Sequence, residues 1–206
     1  MKAVSFDFWG TLMVSNPDFK KAQANLAKEF FNIDEQEFHN SKNNIKKQVD
    51  YLVESAGLQL ERVVLYRKLI PNLNIKDCEN FIRYSDELFL KHPPILREPE
   101  TDIISILKEK GYRVYISSNT VFIYGKTLSK VIFDNFGIIH KNCKFSDETQ
   151  GLVSKPSREM FDFEIKPDWH IGDNLITDGA SEEFGIKHYH INNKQNFKTF
   201  LENENI

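Results

Sequence analysis

The stretch Lys2–Leu12, KAVSFDFWGTL, decides the fold. Ala3, Val4, Ser5 and Phe6 run straight into Asp7, and Gly10-Thr11 follow almost at once. A short, largely apolar run bounded by an acid and a glycine turn reads as a buried strand that delivers a carboxylate at its end. In an open α/β sheet, ligands bind in the crevice beyond the carboxyl ends of the strands. Asp7 is therefore the first candidate for chemistry. Trp9, two residues further on, is the odd residue of the stretch.

Beyond this strand, Asn16-Pro17-Asp18 is a helix start with proline just inside. Phe19, Ala22, Leu26 and Phe30 then recur at helical spacing. Residues 35 to 56 carry the apolar stripe Phe38, Ile45, Val49, Leu52 and Val53, closed by Gly57. A third helix is predicted from Leu58 to Leu69 with Pro71 as its stop, and a fourth from about Ile75 to Lys91, stopped by Pro93-Pro94. From Ser15 to Leu96 the pattern is helix throughout, with no strand.

From Glu98 onward the character changes. Ile103, Ile104 and Leu107 mark a helix closed by Gly111, and RVYISSN is a strand that ends in hydroxyls and an amide. The expected order then runs through a helix near Val121–Phe133, a short strand at Lys144–Ser146, a helix from Ser157 and the strand in DWHIGD. A helix ending before Gly185, the strand KHYHI and a last helix with Phe197, Phe200 and Leu201 complete the chain. Strands alternating with helices imply a parallel sheet with crossovers. The predicted class is α/β, a Rossmann-like parallel sheet flanked by helices, with residues 1–14 and 97–206 as the core and residues 15–96 as an inserted all-helical cap. An insertion that begins just after Asp7 stands over the carboxyl end of the sheet, as a lid does.

Composition bounds the function. The 206 residues carry a formal net charge of -3, which gives no bulk attraction to polyanions, so nucleic acid is not an expected partner. No apolar run approaches the ~18 residues of a membrane span, and Asp7 interrupts any signal-peptide core. No membrane partner is expected, and the expected location is the cytoplasm. Cys78 and Cys143 lie far apart without metal-ligand spacing and read as reduced core residues.

Four predicted strand ends carry functional side chains: Asp7, Ser118-Asn119, Lys155-Pro156, and Asp173 with Asp178 in GDNLITD. In a parallel sheet they converge. A carboxylate nucleophile, a lysine, a hydroxyl and two further acids suit phosphoryl or similar transfer. Three carboxylates facing one another repel unless a hard cation sits among them, and oxygen ligands of this kind suit Mg2+. His188 and His190 share one face of a strand, but no third ligand accompanies them, so they read as strand histidines. His170, inside the strand that leads to Asp173, reads as structural.

This set of residues, in this order, resembles the haloacid dehalogenase (HAD) superfamily of hydrolases. DFWGT matches the first motif, Ser118 the second, Lys155 the third and GDNLITD the fourth, and the helical block matches the small helical cap. The resemblance implies a hydrolase of small phosphorylated molecules in which Asp7 attacks phosphorus and an aspartyl-phosphate forms. It implies Mg2+ held by Asp7, the Trp9 backbone carbonyl and Asp173, with Asp178 as a ligand to metal-bound water or an orienter behind the ligands. Ser118 and the backbone around Asn119 would hold phosphate oxygens, Lys155 would offset the charge of Asp7 and the phosphoryl group, and Thr11 would brace the loop.

Trp9 departs from the pattern, because phosphatases of the family carry there an acid that protonates the leaving group. An indole N–H cannot take and return a proton near neutral pH. Two alternatives stay open on this ground: a dehalogenase or phosphonate-cleaving enzyme, and a catalytically silent phospholigand-binding protein. Dehalogenases also carry an aromatic residue here, but they lack the acids corresponding to Asp173 and Asp178. Phosphonate-cleaving members use a cap lysine, and no cap lysine is singled out by the sequence.

Overall fold

The computed structural model describes residues 1–70 and 73–206. Pro71, the predicted stop of the third helix, lies outside the described residues. The strands are β1 (Ala3–Phe6), β2 (Met13–Val14), β3 (Ile95–Leu96), β4 (Arg113–Ser118), β5 (Cys143–Phe145), β6 (Trp169–Gly172) and β7 (Lys187–His190). Five of them form one parallel sheet in the order β5-β4-β1-β6-β7. β1 lies at its centre, where all four of its residues are buried, as a short apolar run with neighbours on both sides requires. The ladder continues past its end: Asp7 N–H donates to Ile171 O at 2.8 Å.

The helices α5 (Ile103–Glu109), α6 (Gly125–Phe136) and α7 (Phe197–Glu204) belong to the sheet-containing part. Ile104, Leu107, Leu128, Ile132 and Phe200 meet Val4, Phe6, Ile116 and Ile171 from the sheet in one apolar core.

Between β2 and β3 stand α1 (Pro17–Phe31), α2 (Glu35–Ala56), α3 (Arg62–Leu69) and α4 (Ile75–Lys91). Asn16, Asp34 and Asn74 cap three of these helices, each side chain accepting from a first-turn N–H. The block has its own core of Phe38, Ile45, Val49, Leu65, Tyr66 and Phe81. Burying each such large apolar side chain contributes roughly 1.5–3 kcal/mol.

Several boundaries differ from the sequence expectation, most of them because a tertiary contact overrides local pattern. Ile95–Leu96 is a strand inside the stretch expected to be all helix. It pairs antiparallel with Met13–Val14, so the chain leaves and re-enters the sheet region through a two-stranded ribbon. The third helix starts at Arg62, not Leu58, because Leu58 bridges Val153 while Gln59 N donates to Leu152 O and Ser154 N to Gly57 O. The helix expected from Val121 starts at Gly125, and Val121, Phe122 and Tyr124 instead pack against the core of the helical block. The stretches after Ser157 and before Gly185 are 3₁₀ segments, Arg158–Phe161 and Gly179–Phe184, too short for sustained α-helical bonding. Among the described residues, no helix is long and apolar enough to cross a membrane.

Candidate active site

Asp7 emerges from the buried end of β1 with only 7% of its surface exposed. Lys155, fully buried, donates from Nζ to Asp7 Oδ1 at 2.6 Å and to Asp178 Oδ1 at 2.5 Å. Asp173 stands on the exposed rim, and carboxylate oxygens of Asp7, Asp173 and Asp178 all lie within 4.8 Å of one another. Four residues scattered from position 7 to position 178 thus meet at the carboxyl end of the sheet, Asp7 beyond β1 and the other two acids beyond β6.

Local chemistry explains how they come so close. Gly10 has φ +76°, and a Cβ there would lie 2.3 Å from Asp173 Oδ2. A Cβ on Gly172 would likewise lie 2.4 Å from Asp178 Oδ2. Both glycines are therefore required for backbone and carboxylate to pass within contact. Lys155 is held by Asn119, whose Oδ1 accepts from Lys155 N at 2.8 Å while its Nδ2 donates to Lys155 O at 3.2 Å. The Asn119 side chain is committed to this clamp, so only its backbone remains for the phosphate role expected of it.

The electrostatics are those of an acid cluster short of positive charge. Burial pushes Asp7 up to about 7; Lys155 pulls against this, and the neighbouring Asp178 and Asp173 add to the rise. Asp173 is also raised, by burial and by Asp178. Burial acts upward on Asp178 too, but Lys155 and the hydrogen bond from His170 outweigh it and hold this carboxyl well below the usual range. Lys155 is raised because its two carboxylates overcome the cost of its burial.

The donor set fits Mg2+. Three carboxylates converge on one point with a single ammonium among them, and a hard divalent cation with oxygen ligands offsets both the burial of these charges and the mutual repulsion that adds to the rise of Asp7 and Asp173. Two hydroxyls point the same way chemically: Ser118 Oγ and Thr11 Oγ1 are fully buried without a hydrogen-bond partner among the described residues. A buried polar group left unpaired costs about 1–3 kcal/mol, so such hydroxyls suit a polar ligand. Thr11 Oγ1 makes no hydrogen bond within the loop that Thr11 is expected to brace. Backbone bonds brace it instead, from Leu12 and Met13 N–H to Phe8 O and from Gly10 N–H to Met13 O. The Trp9 indole is half-buried and packs edge-on against Phe8 and Phe89, with ring centroids 5.0 and 6.0 Å away.

Two neighbours of the site escape sequence reasoning. His170 Nε2 meets Asp178 Oδ1 at 3.1 Å and its Nδ1 meets Ser5 Oγ at 2.9 Å. Burial brings this imidazole down to about 4, so it is neutral near pH 7. A carboxylate only accepts, which assigns the ring proton to Nε2 and makes Ser5 the donor to Nδ1. Arg97 donates from Nη1 to Gly10 O and pulls weakly against the rise of the Asp173 carboxyl. His170 lies inside β6 and Asp178 in the loop that turns back beyond its end, so their pairing is a tertiary contact and no local periodicity reveals it. His188 and His190 are not members of the acid cluster.

A family model described as haloacid dehalogenase-like hydrolase matches residues 1–166. A search of curated proteins finds no match. Among solved structures, the HAD-hydrolase YfnB from Bacillus subtilis, bound to magnesium, superposes with a TM-score of 0.67 at 18% identity, covering 100% of this chain and 99% of that one. A HAD phosphatase from Thermococcus onnurineus gives 0.63 at 15% identity, with 99% and 98% covered. A predicted phosphoglycolate phosphatase from Haemophilus somnus gives 0.59 at 17% identity, again with 99% and 98% covered. At these identities the likeness is one of fold.

Proposed function

The chain belongs to the haloacid dehalogenase-like hydrolases, and from that premise we propose that it is a Mg2+-dependent phosphatase of small phosphate monoesters. The observation that carries this reading is the Lys155 ammonium set between Asp7 and Asp178, with Asp173 beside them. The phosphatase and magnesium-bound structures that share the fold support it.

Asp7 is the nucleophile. Lys155 fixes its Oδ1, so the carboxylate presents its second oxygen to phosphorus. The new O–P bond forms as the bond to the ester oxygen breaks, and the leaving group departs as an alkoxide. Water then attacks phosphorus, releases phosphate and returns the Asp7 carboxylate. Asp7, Asp173 and the Trp9 backbone carbonyl would hold Mg2+, with Asp178 behind them; when bound, the cation supplies Lewis-acid neutralisation of the charge between carboxylate and phosphate. Ser118 Oγ and the backbone near Asn119 donate to phosphate oxygens, and Thr11 Oγ1 is a further donor. The helical block of residues 15–96 is the cap that shields the intermediate, held near the Lys155 loop by the Leu58 to Val153 bridge.

General acid–base assistance contributes typically 10²–10⁴ in rate, and Trp9 offers none. The enzyme therefore favours esters whose leaving groups need little protonation. The aromatic at this position also favours a second reading, carbon–halogen cleavage, since a departing halide takes no proton. The test is a panel of phosphate monoesters and short 2-haloacids, with and without Mg2+, using Asp7→Asn as control. Mg2+-dependent phosphate release lost in Asp7→Asn supports the phosphatase; halide release that survives EDTA supports the second reading. No turnover of any compound, activated esters included, leaves only ligand binding and refutes both.

A further inference from the structure

Lys42, on α2, is the unexplained cation of the helical block. Its Nζ donates to Gln23 Oε1 at 2.5 Å and faces the rings of Phe122, Phe19 and Phe38 at 4.9, 5.8 and 6.0 Å. Gln23 is itself fixed, because its Nε2 donates to Tyr66 Oη at 3.1 Å and to Ser85 Oγ at 3.2 Å. The oxygen aimed at Lys42 is thus held in place, and the ammonium is held with it.

The charges that act on Lys42 are both positive, Arg62 and Lys20. Arg62 has its own carboxylate, bound by two hydrogen bonds to Asp86 at 3.0 and 2.8 Å. Burial and the two cations bring the Lys42 amine down to about 7. Lys42 is half-buried, and withdrawing an ammonium even partly from water without a countercharge carries a cost, of which three aromatic faces return only a part. An anion at this point removes the deficit.

The location says which anion. Phe122 belongs to the segment that follows Ser118 and Asn119, and it reaches into the helical block, where its ring lies 5.8 Å from that of Tyr66. Lys42 therefore lines the junction of the two parts, next to the loop assigned to the phosphate. In-line displacement sends the leaving group away from the attacking oxygen, hence away from Asp7 and towards the helices.

We propose that Lys42 is a specificity-determining residue that reads a second anionic group, a carboxylate or a second phosphate, on the leaving-group end of the substrate. This rests on the phosphatase reading. A half-buried ammonium held in place by Gln23 and three rings discriminates, since hydrogen bonds between charged groups are the strong ones.

The test compares 3-phosphoglycerate, glycerol 3-phosphate and propane-1,3-diol bisphosphate, which offer a carboxylate, a hydroxyl and a phosphate at similar reach. The wild type should prefer at least one anionic ester over glycerol 3-phosphate by about tenfold or more in kcat/KM, a difference of ~1.4 kcal/mol. Which anionic ester wins identifies the group. Lys42→Met should collapse the ratio to near one, while Lys42→Arg should keep it. A wild type without preference, or a Lys42→Met enzyme that retains it, overturns the proposal. If p-nitrophenyl phosphate too is left intact, the phosphatase reading has failed, and acetic anhydride labelling read by mass spectrometry decides this one. Protection of Lys42 by the anionic esters and not by glycerol 3-phosphate supports it, and equal labelling in all three overturns it.

Discussion

Lys155 and Asp178 form a buried ion pair, Nζ to Oδ1 at 2.5 Å, and the same ammonium reaches Asp7 at 2.6 Å. One cation thus balances two carboxylates that are otherwise withdrawn from water. Lys155→Met leaves both uncompensated. Breaking a buried pair by removing one partner costs about 3–5 kcal/mol, so the melting temperature should fall by roughly 2–4 °C per kcal/mol. Added Mg2+ should recover part of the loss. Thermal unfolding with and without Mg2+ checks this, and an unchanged midpoint would show that the pair is dispensable.

Gly10→Ala brings a methyl group onto the Asp173 carboxylate and forces a side chain into left-handed backbone. Asp173 must then turn away from Asp7. Mg2+ affinity measured by calorimetry should drop by at least an order of magnitude, with stability lower by about 1–3 kcal/mol. An alanine variant that binds Mg2+ like the wild type would mean that Asp173 is not a ligand.

His170 is a positioning residue, acting on the site through Asp178. His170→Phe keeps the bulk and removes the hydrogen bond, and partners of this kind are worth 10–100-fold in metal affinity or activity. Weaker Mg2+ binding in a variant whose circular dichroism is unchanged is the expected result. Equal affinity would confine His170 to packing.

Trp9→Asp introduces the proton donor that the loop lacks. Turnover of alkyl phosphates should rise by about 10² or more, while p-nitrophenyl phosphate, whose leaving group needs no proton, should change little. Loss of the contacts with Phe8 and Phe89 should lower stability by roughly 1–3 kcal/mol. The ratio of the two substrates' kcat/KM values is the readout, and an unchanged ratio in a folded variant would show that proton transfer is handled elsewhere.

How far the molecule is legible from its sequence depends on the range of the interactions involved. The order of strands and helices follows from hydrophobic pattern, and Asp7 and Asp173 stand out because each falls at a strand end, whereas Lys155, expected at one, sits in a loop well beyond the end of β5. Helix starts at Arg62 and Gly125 are not legible, since the residues before them are claimed by contacts with Val153 and with the core of the helical block. Two exposed residues, Ile95 and Leu96, are too few to show a strand period. The polar supports are hidden for the same reason. The backbone of Asn119 is read from the sequence as a phosphate site, but the grip of its side chain on Lys155 is not, and His170 looks like a core residue until Asp178 is seen beside it. Lys42 is one of many lysines in α2 and its neighbours, and its partners on α1 and in the loop after Asn119 single it out.

The central claim is that Asp7 becomes covalently phosphorylated. Its most direct test is rapid acid quench of the enzyme turning over p-nitrophenyl phosphate with Mg2+, followed by peptide mass spectrometry. The account predicts a hydroxylamine-sensitive phosphoryl group on the Asp7 peptide, present with Mg2+, missing with EDTA and missing in Asp7→Asn. Turnover by Asp7→Asn at the wild-type rate, or a phosphoryl group on another residue, would contradict it.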